Sequence, residues 1–147
     1  MDFLIRTLST SASGSLKGES RTTNDPTGVA TIKLRHYQIL EDALRLVAAW
    51  NERQAKRMPM LFSPTIGAAI TARHWYLWVR CPACRTTTAI DLRKIDRHRD
   101  AGITSLIPAL SCRSCRPHAP FAELVRLSPT SVADEMREED TRRVLGD

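Results

Sequence analysis

The sequence predicts an α+β protein: a small three-stranded antiparallel sheet with a helical insert, preceded by an N-terminal amphipathic helix and flanked by flexible tails. Three observations predict it. Apolar residues recur at three-and-four spacing between Thr31 and Arg57, the period of one helical face. Three short runs, beginning near Trp75, Arg85 and Phe121, are rich in residues that suit a pleated surface. All four cysteines stand in two Cys-x-x-Cys pairs, Cys81/Cys84 and Cys112/Cys115, placed between those runs. The expected divisions are a leader over 1–29, the helix over 30–58, and a connection with a short helix over 59–74. A sheet-bearing domain over 75–128 and a charged tail over 129–147 follow.

The leader is rich in Ser, Thr, Gly and Asp and shows neither helical nor strand periodicity. Its start, MDFLIRTLSTSASGSLKG, has an acidic second residue and a short apolar patch, unlike a secretory signal. A slight presequence character in its Ser/Thr/Arg content weighs less than the plain reading of a disordered tail. The helix over 31–57 carries Tyr37, Leu40, Leu44 and Val47, with Ala43 and Trp50 close by. Oriented pairs one turn apart, Glu41 with Arg45 and Glu52 with Lys56, support it, and Arg53, Lys56 and Arg57 suit its C-terminal dipole. Its stripe spans about two heptads, short of a convincing coiled coil, so packing within the chain is favoured over pairing with a second copy.

Two prolines in MPMLFSP end the helix, and Ser63 with Pro64 resemble an N-cap and first-turn proline for a short helix through TIGAAITAR. Met58 and Met60 are candidate internal translation starts. In HWYLWVR, Trp75, Leu77 and Val79 alternate with Tyr76, Trp78 and Arg80, and RTTTAIDL gives a second strand. DLRKIDRHRD reads as a polar helical turn or two. Beyond it Ile103, Leu106, Ile107 and Leu110 share a helical face, with Thr104 as cap and Pro108 near the first turn. FAELVRLS gives the third strand, with Phe121, Val125 and Leu127 on one side and Ala122, Leu124 and Arg126 on the other. The tail from Thr130 reads as a frayed acidic helix or disorder.

The whole chain has 147 residues, a formal net charge of +6, and only 5% aromatic residues. This composition favours a small domain with appended segments over one large core. No apolar run approaches the roughly 20 residues of a transmembrane helix, so no membrane partner is expected. Without a secretory signal, a reducing, cytoplasmic compartment is expected, where thiols stay free unless metal or catalysis uses them. The net positive charge attracts polyanions without identifying one.

Two residues between cysteines let one tight turn aim both sulfurs at a single ion, and two such turns complete a tetrahedral shell. The 27 residues between Cys84 and Cys112 exceed the simplest spacing by what a helical insert needs. Cys81, Cys84, Cys112 and Cys115 are therefore the expected ligands of a structural Zn2+. A redox pair is disfavoured because Cys84 leads into a strand-like RTTT, not a helix N-terminus. An iron–sulfur cluster remains open on spacing alone. His74, His98 and His118 lie near these segments, and surface or hydrogen-bonded roles are preferred because four thiolates already satisfy zinc. An all-cysteine shell leaves no open position, and there is no phosphate loop, nucleophile elbow or His-Glu-x-x-His motif, so no catalytic residue is expected.

CPAC and CRSC, each flanked by β-like segments, resemble the two knuckles of a zinc ribbon. The layout from about Trp75 to Leu127 is similar to small bacterial zinc-ribbon proteins with a helical insert. The resemblance implies that the four cysteines are metal ligands. The chain departs from ribbons by placing Arg85 and Arg116 where a glycine commonly follows each knuckle.

Between Arg80 and Arg126 there are nine Lys/Arg and four Asp/Glu. Arg80, Arg85, Arg113 and Arg116 flank the knuckles and, with Trp78 or Tyr76, define a candidate nucleic-acid surface. The structural alternative has these arginines offsetting thiolate charge. The leading expectation is a non-enzymatic zinc-binding module that contacts nucleic acid. A protein-interaction or homo-oligomerisation module using the 31–57 helix is the alternative, followed by a thiol redox protein.

Overall fold

The computed structural model describes residues 3–5 and 26–145, with side chains described from 30 to 143. The elements in chain order are strand β1 (Phe3–Ile5), helix α1 (Pro26–Ala55), helix α2 (Ile66–Thr71), strand β2 (Tyr76–Arg80) and strand β3 (Thr87–Asp91). Two 3-10 segments, Leu92–Lys94 and Ile103–Ala109, precede strand β4 (Leu110–Cys112), strand β5 (Glu123–Ser128) and helix α3 (Val132–Leu145). The fold is α+β, with a three-stranded antiparallel sheet in the order β3-β2-β5 and a separate two-stranded pairing of β1 with β4. The leader expected over 1–29 falls largely outside the described residues; within it, Phe3–Ile5 pairs in register with Leu110–Cys112.

One apolar core unites segments that the sequence suggests are separate. The inner face of the sheet, with Leu77, Val79, Ile90 and Leu127, packs against Ala43, Val47 and Trp50 of α1 and Ile66 and Ala69 of α2. Ile103 and Leu106 close it from the insert. Their three-residue separation matches the three-fold period of a 3-10 helix, which is what this stretch forms in place of an α-helix. The first insert segment is likewise one 3-10 turn, capped by Asp91, whose side chain accepts from the Arg93 N–H at 3.0 Å. Asp91 also accepts from the Arg93 guanidinium, which holds its carboxyl below the ordinary range.

Three sequence expectations shift in detail. The buried seam of α1 runs through Ala43, Val47 and Trp50, while Tyr37 and Leu44 stand 64% and 41% exposed. The seam is thus rotated from the predicted stripe, because Trp50 is the largest side chain on the helix and its full burial sets the docking angle. The short helix is capped by Thr65, whose hydroxyl accepts from the Ala68 N–H at 3.0 Å. Ser63 and Pro64 are used elsewhere: Ser63 Oγ accepts from the Thr104 N–H and the Pro64 carbonyl from the Ile103 N–H. These bonds start the second 3-10 segment at Ile103, so Gly102 takes the N-cap position predicted for Thr104, and Pro108 falls deep in the segment. In β5 the strict alternation fails because a bulge opposite Trp78/Val79 leaves Val125 unpaired. Ala122 and Leu127 are consequently buried and Phe121 is 73% exposed, reversing the predicted pairing of Phe121 with Leu127.

Both α1 and α2 end in left-handed turns without glycine. After α1, the Met58 N–H bonds the Arg53 carbonyl and the Arg57 N–H the Gln54 carbonyl, with Arg57 at φ 52. After α2, His74 and Arg73 repeat the pattern onto Ala69 and Ile70, with Arg73 at φ 59. Each is a Schellman cap. The β5 rim is covered by Asn51 of α1: its amide donates to the Leu127 carbonyl and accepts the Leu127 N–H, both at 2.8 Å.

The tail forms a helix and not disorder. Ser131 and Asp134 build a reciprocal cap, Ser131 Oγ accepting from the Asp134 N–H at 3.2 Å while Asp134 accepts from the Ser131 hydroxyl at 2.7 Å. Those bonds from Ser131 hold the Asp134 carboxyl below its ordinary 3.8. A depressed folded-state value means the cap contributes above about pH 4 and is lost as pH falls through the lowered value. Hydrogen exchange at the α3 amides is expected to be pH-independent above that point after correction for intrinsic rates, and to accelerate below it. Ser131→Ala is expected to accelerate exchange across the range and to abolish the acid step attributable to Asp134.

Candidate metal centre

The first knuckle is the turn between β2 and β3, and the second follows β4. Cys81 sits at the end of β2, buried at 1% exposure, and Cys112 is the last residue of β4, buried at 4%. Cys84 is exposed and Cys115 half-buried, so each knuckle contributes one deep and one outer sulfur. All four sulfurs lie within 4.8 Å of one another. Sulfurs of the two knuckles approach closely, Cys81 to Cys115 at 3.8 Å and Cys84 to Cys112 at 3.6 Å.

Sulfurs at about 2.3 Å from a central ion at tetrahedral angles are separated by about 3.8 Å. These two separations between the knuckles match that edge. They are far longer than the roughly 2.05 Å of a disulfide, and all four cysteines are free thiols. The cluster is thus a closed set of four soft donors of the size a metal ion requires. Among the described residues it is the only such grouping of His, Cys, Asp or Glu.

The electrostatics show why a cation fits. The Cys84 thiol is lowered to about 6, first by its hydrogen bond with the Thr86 side chain, whose Oγ1 lies 3.1 Å away, and then by the Thr86 backbone. Cys115 is pushed up to about 12, first by its contact with Cys84 and then by burial. One sulfur is ready to ionise while its neighbour is prevented from doing so. A divalent ion at the centre removes that conflict by stabilising every thiolate together.

The first knuckle closes although it lacks the ribbon glycine. Arg85 takes the left-handed conformation at φ 60, its N–H bonds the Cys81 carbonyl at 2.8 Å, and the Cys81 N–H bonds the Thr86 carbonyl at 3.0 Å. A side chain in this region costs roughly 1–2 kcal/mol, part of which glycine returns as added freedom of the unfolded chain. Arg85→Gly is therefore expected to keep the metal and raise stability by up to about 1 kcal/mol, read as a higher denaturant midpoint. A loss of metal would show that the arginine side chain itself is needed. The second knuckle is followed by the cis bond Arg116–Pro117, and no left-handed residue occurs there.

The predicted arginine surface is only partly assembled. Arg85, Arg113 and Arg116 are exposed beside the knuckles. Arg116 donates to Ser111 Oγ at 3.0 and 3.2 Å, and Arg80 is paired with Glu123 across β2 and β5 at 2.8 Å. The aromatic faces are already occupied. The Arg126 guanidinium lies 4.0 Å above the Trp78 ring, Trp78 Nε1 donates to the Thr130 carbonyl, and Arg93 covers Trp75 and Tyr76. Arg126 is itself held by Glu135 of α3.

The histidines stay out of the sulfur cluster: His74 Nδ1 is 2.8 Å from the Ala72 carbonyl, His98 neighbours Asp100, and His118 is exposed. Thr86 is the site residue that the sequence reading missed. Its position two residues after the outer cysteine was the available signal, but the threonine run made it look like strand alone. No helix among the described residues is long and apolar enough to cross a membrane. Comparison with protein-family models, curated proteins and solved structures gives no match, so the likeness to a zinc ribbon rests on the knuckles and their geometry.

Proposed function

We propose that the chain is a non-enzymatic binding module in which one structural Zn2+, held by Cys81, Cys84, Cys112 and Cys115, fixes two knuckles at the end of the sheet. The observation that carries this reading is the closed set of sulfurs. Four thiolates fill a tetrahedral shell and leave no position for the water that catalytic zinc activates. Thiolate donors favour zinc over hard cations, and sulfur spacings near 3.8 Å agree with that ion's size.

The partner class favoured by charge is nucleic acid, contacted through phosphates. Arg85, Arg113 and Arg116 are exposed around the knuckles, and an all-cysteine zinc site carries a formal charge of minus two that three arginines more than offset. Base stacking is not part of this reading, because Trp75, Tyr76 and Trp78 already carry arginines on their faces.

Two measurements test the proposal. Metal analysis of protein purified without added zinc is expected to give one equivalent of zinc per chain. Binding of a labelled oligonucleotide, single- or double-stranded, is expected to weaken steeply with added salt and to weaken further in the Arg113→Ala/Arg116→Ala double variant. Iron in place of zinc, or no metal, overturns the site assignment. Salt-insensitive binding or none overturns the phosphate contact and leaves the metal assignment standing.

A further inference from the structure

We propose that Cys84 is an oxidation site that releases the metal: a peroxide reacts at its sulfur, Cys112 closes a disulfide onto it across the knuckles, and the Thr86 hydroxyl restrains the rate. The proposal rests on the metal assignment above and adds a modification of the same site.

The four sulfurs differ in access. Cys81 and Cys112 are buried and Cys115 is half-buried, so Cys84 is the one exposed cysteine of the cluster. Oxidation of cysteine follows thiolate character and exposure together. In a closed metal shell all four sulfurs share the thiolate character, so exposure decides where a peroxide enters. The Cys112 sulfur, on the other knuckle, lies 3.6 Å from that of Cys84, which leaves a further approach of about 1.5 Å to disulfide length.

The chemistry balances. The Cys84 thiolate attacks one peroxide oxygen, the O–O bond breaks, and Cys84 becomes a sulfenic acid as hydroxide leaves. The Cys112 thiolate then attacks the Cys84 sulfur; the S–S bond forms, the S–O bond breaks and a second hydroxide leaves. Solvent protons turn both hydroxides into water. Each of the two sulfurs has lost one electron, and the peroxide has taken both. Cys81 and Cys115 alone remain as thiolates, too few to hold a tetrahedral ion. The new bond joins the β2–β3 turn to the end of β4, which a bond inside either knuckle would not do.

Thr86 acts through Cys84. Its Oγ1 lies 3.1 Å from the Cys84 sulfur, and a metal-bound thiolate can only accept, so the hydroxyl donates. That bond draws charge from the sulfur and weakens its attack.

The test adds hydrogen peroxide to the full chain purified with its metal, following zinc release with a chromophoric indicator and the disulfide by peptide mass mapping. One zinc is expected to leave for each Cys84–Cys112 disulfide formed, and thiol reductant with added zinc to restore the starting form. Thr86→Val is expected to keep one zinc at rest and to lose it about threefold faster in peroxide. A disulfide that leaves Cys84 free overturns entry at that sulfur. Cys84 joined to Cys81 or Cys115, or carried to sulfinic acid without a disulfide, overturns the part given to Cys112. A Thr86→Val variant no faster than the wild type overturns the restraint, and zinc that outlasts the peroxide overturns the release. Protein without metal before peroxide is added overturns the metal assignment and this proposal with it, a failure distinct from the others.

Discussion

Stripping the metal, or replacing Cys112 by serine, is expected to unfold the domain and not simply loosen its edge. Zinc in small modules contributes on the order of 10 kcal/mol, and a domain of this size has about 5–15 kcal/mol in total. The geometry makes the loss global. Cys81 directly follows β2, the central strand, and Cys112 ends β4, while Leu110 of the same strand enters the core. Without an ion the sulfurs return to thiols that nothing joins across the 3.6 and 3.8 Å gaps, and β4 loses its tie to the end of the sheet. Adding a strong chelator is expected to abolish the cooperative thermal transition and the near-ultraviolet signal of the tryptophans. Readdition of zinc is expected to restore both. A metal-free protein with an intact transition would refute the account.

The second large effect is expected at Trp50. This side chain is fully buried between the sheet and α2, at 0% exposure, and truncation to alanine is expected to cost about 3–5 kcal/mol. Its indole Nε1 is also the one buried side-chain nitrogen or oxygen among the described residues without a hydrogen-bond partner. An unpaired buried donor costs about 1–3 kcal/mol, which phenylalanine avoids while keeping most of the apolar volume. Trp50→Phe is therefore expected to fall within about 1 kcal/mol of the wild type, since relief of the orphaned N–H offsets the smaller ring. Denaturant midpoints of the two variants check this. Near-equal losses in both would show that the indole nitrogen is satisfied in solution.

The parts of the fold legible in the sequence are those set by local pattern. Two Cys-x-x-Cys turns at the ends of β-like runs announce the cluster, and period-two alternation in Tyr76–Arg80 announces a strand, whose buried members are Leu77 and Val79. What escaped depends on partners distant in the chain. The angle of α1 follows from where Trp50 finds room, which no property of the helix alone reveals. Ser63 looks like a helix cap until the insert claims its hydroxyl through Thr104, 41 positions away. The register change in β5 arises from a bulge opposite β2, so Phe121 lies exposed while Leu127, placed on the same side by the strand pattern, is buried. Arg85 shows the converse. Its sequence argued against a knuckle turn, yet the local bonds to Cys81 and Thr86 impose the turn and the side chain tolerates it.

The amide of Asn51 has a consequence outside the native state. β5 is an outer strand, and the groups that Asn51 occupies on Leu127 are those another extended chain would use to append itself. One side chain therefore acts as a plug against polymerisation, lent by a helix whose docking depends on Trp50. When α1 lifts away, the plug leaves with it, and the rim becomes a template for amyloid-like growth. Undocking of that one helix would thus remove a guard against fibres.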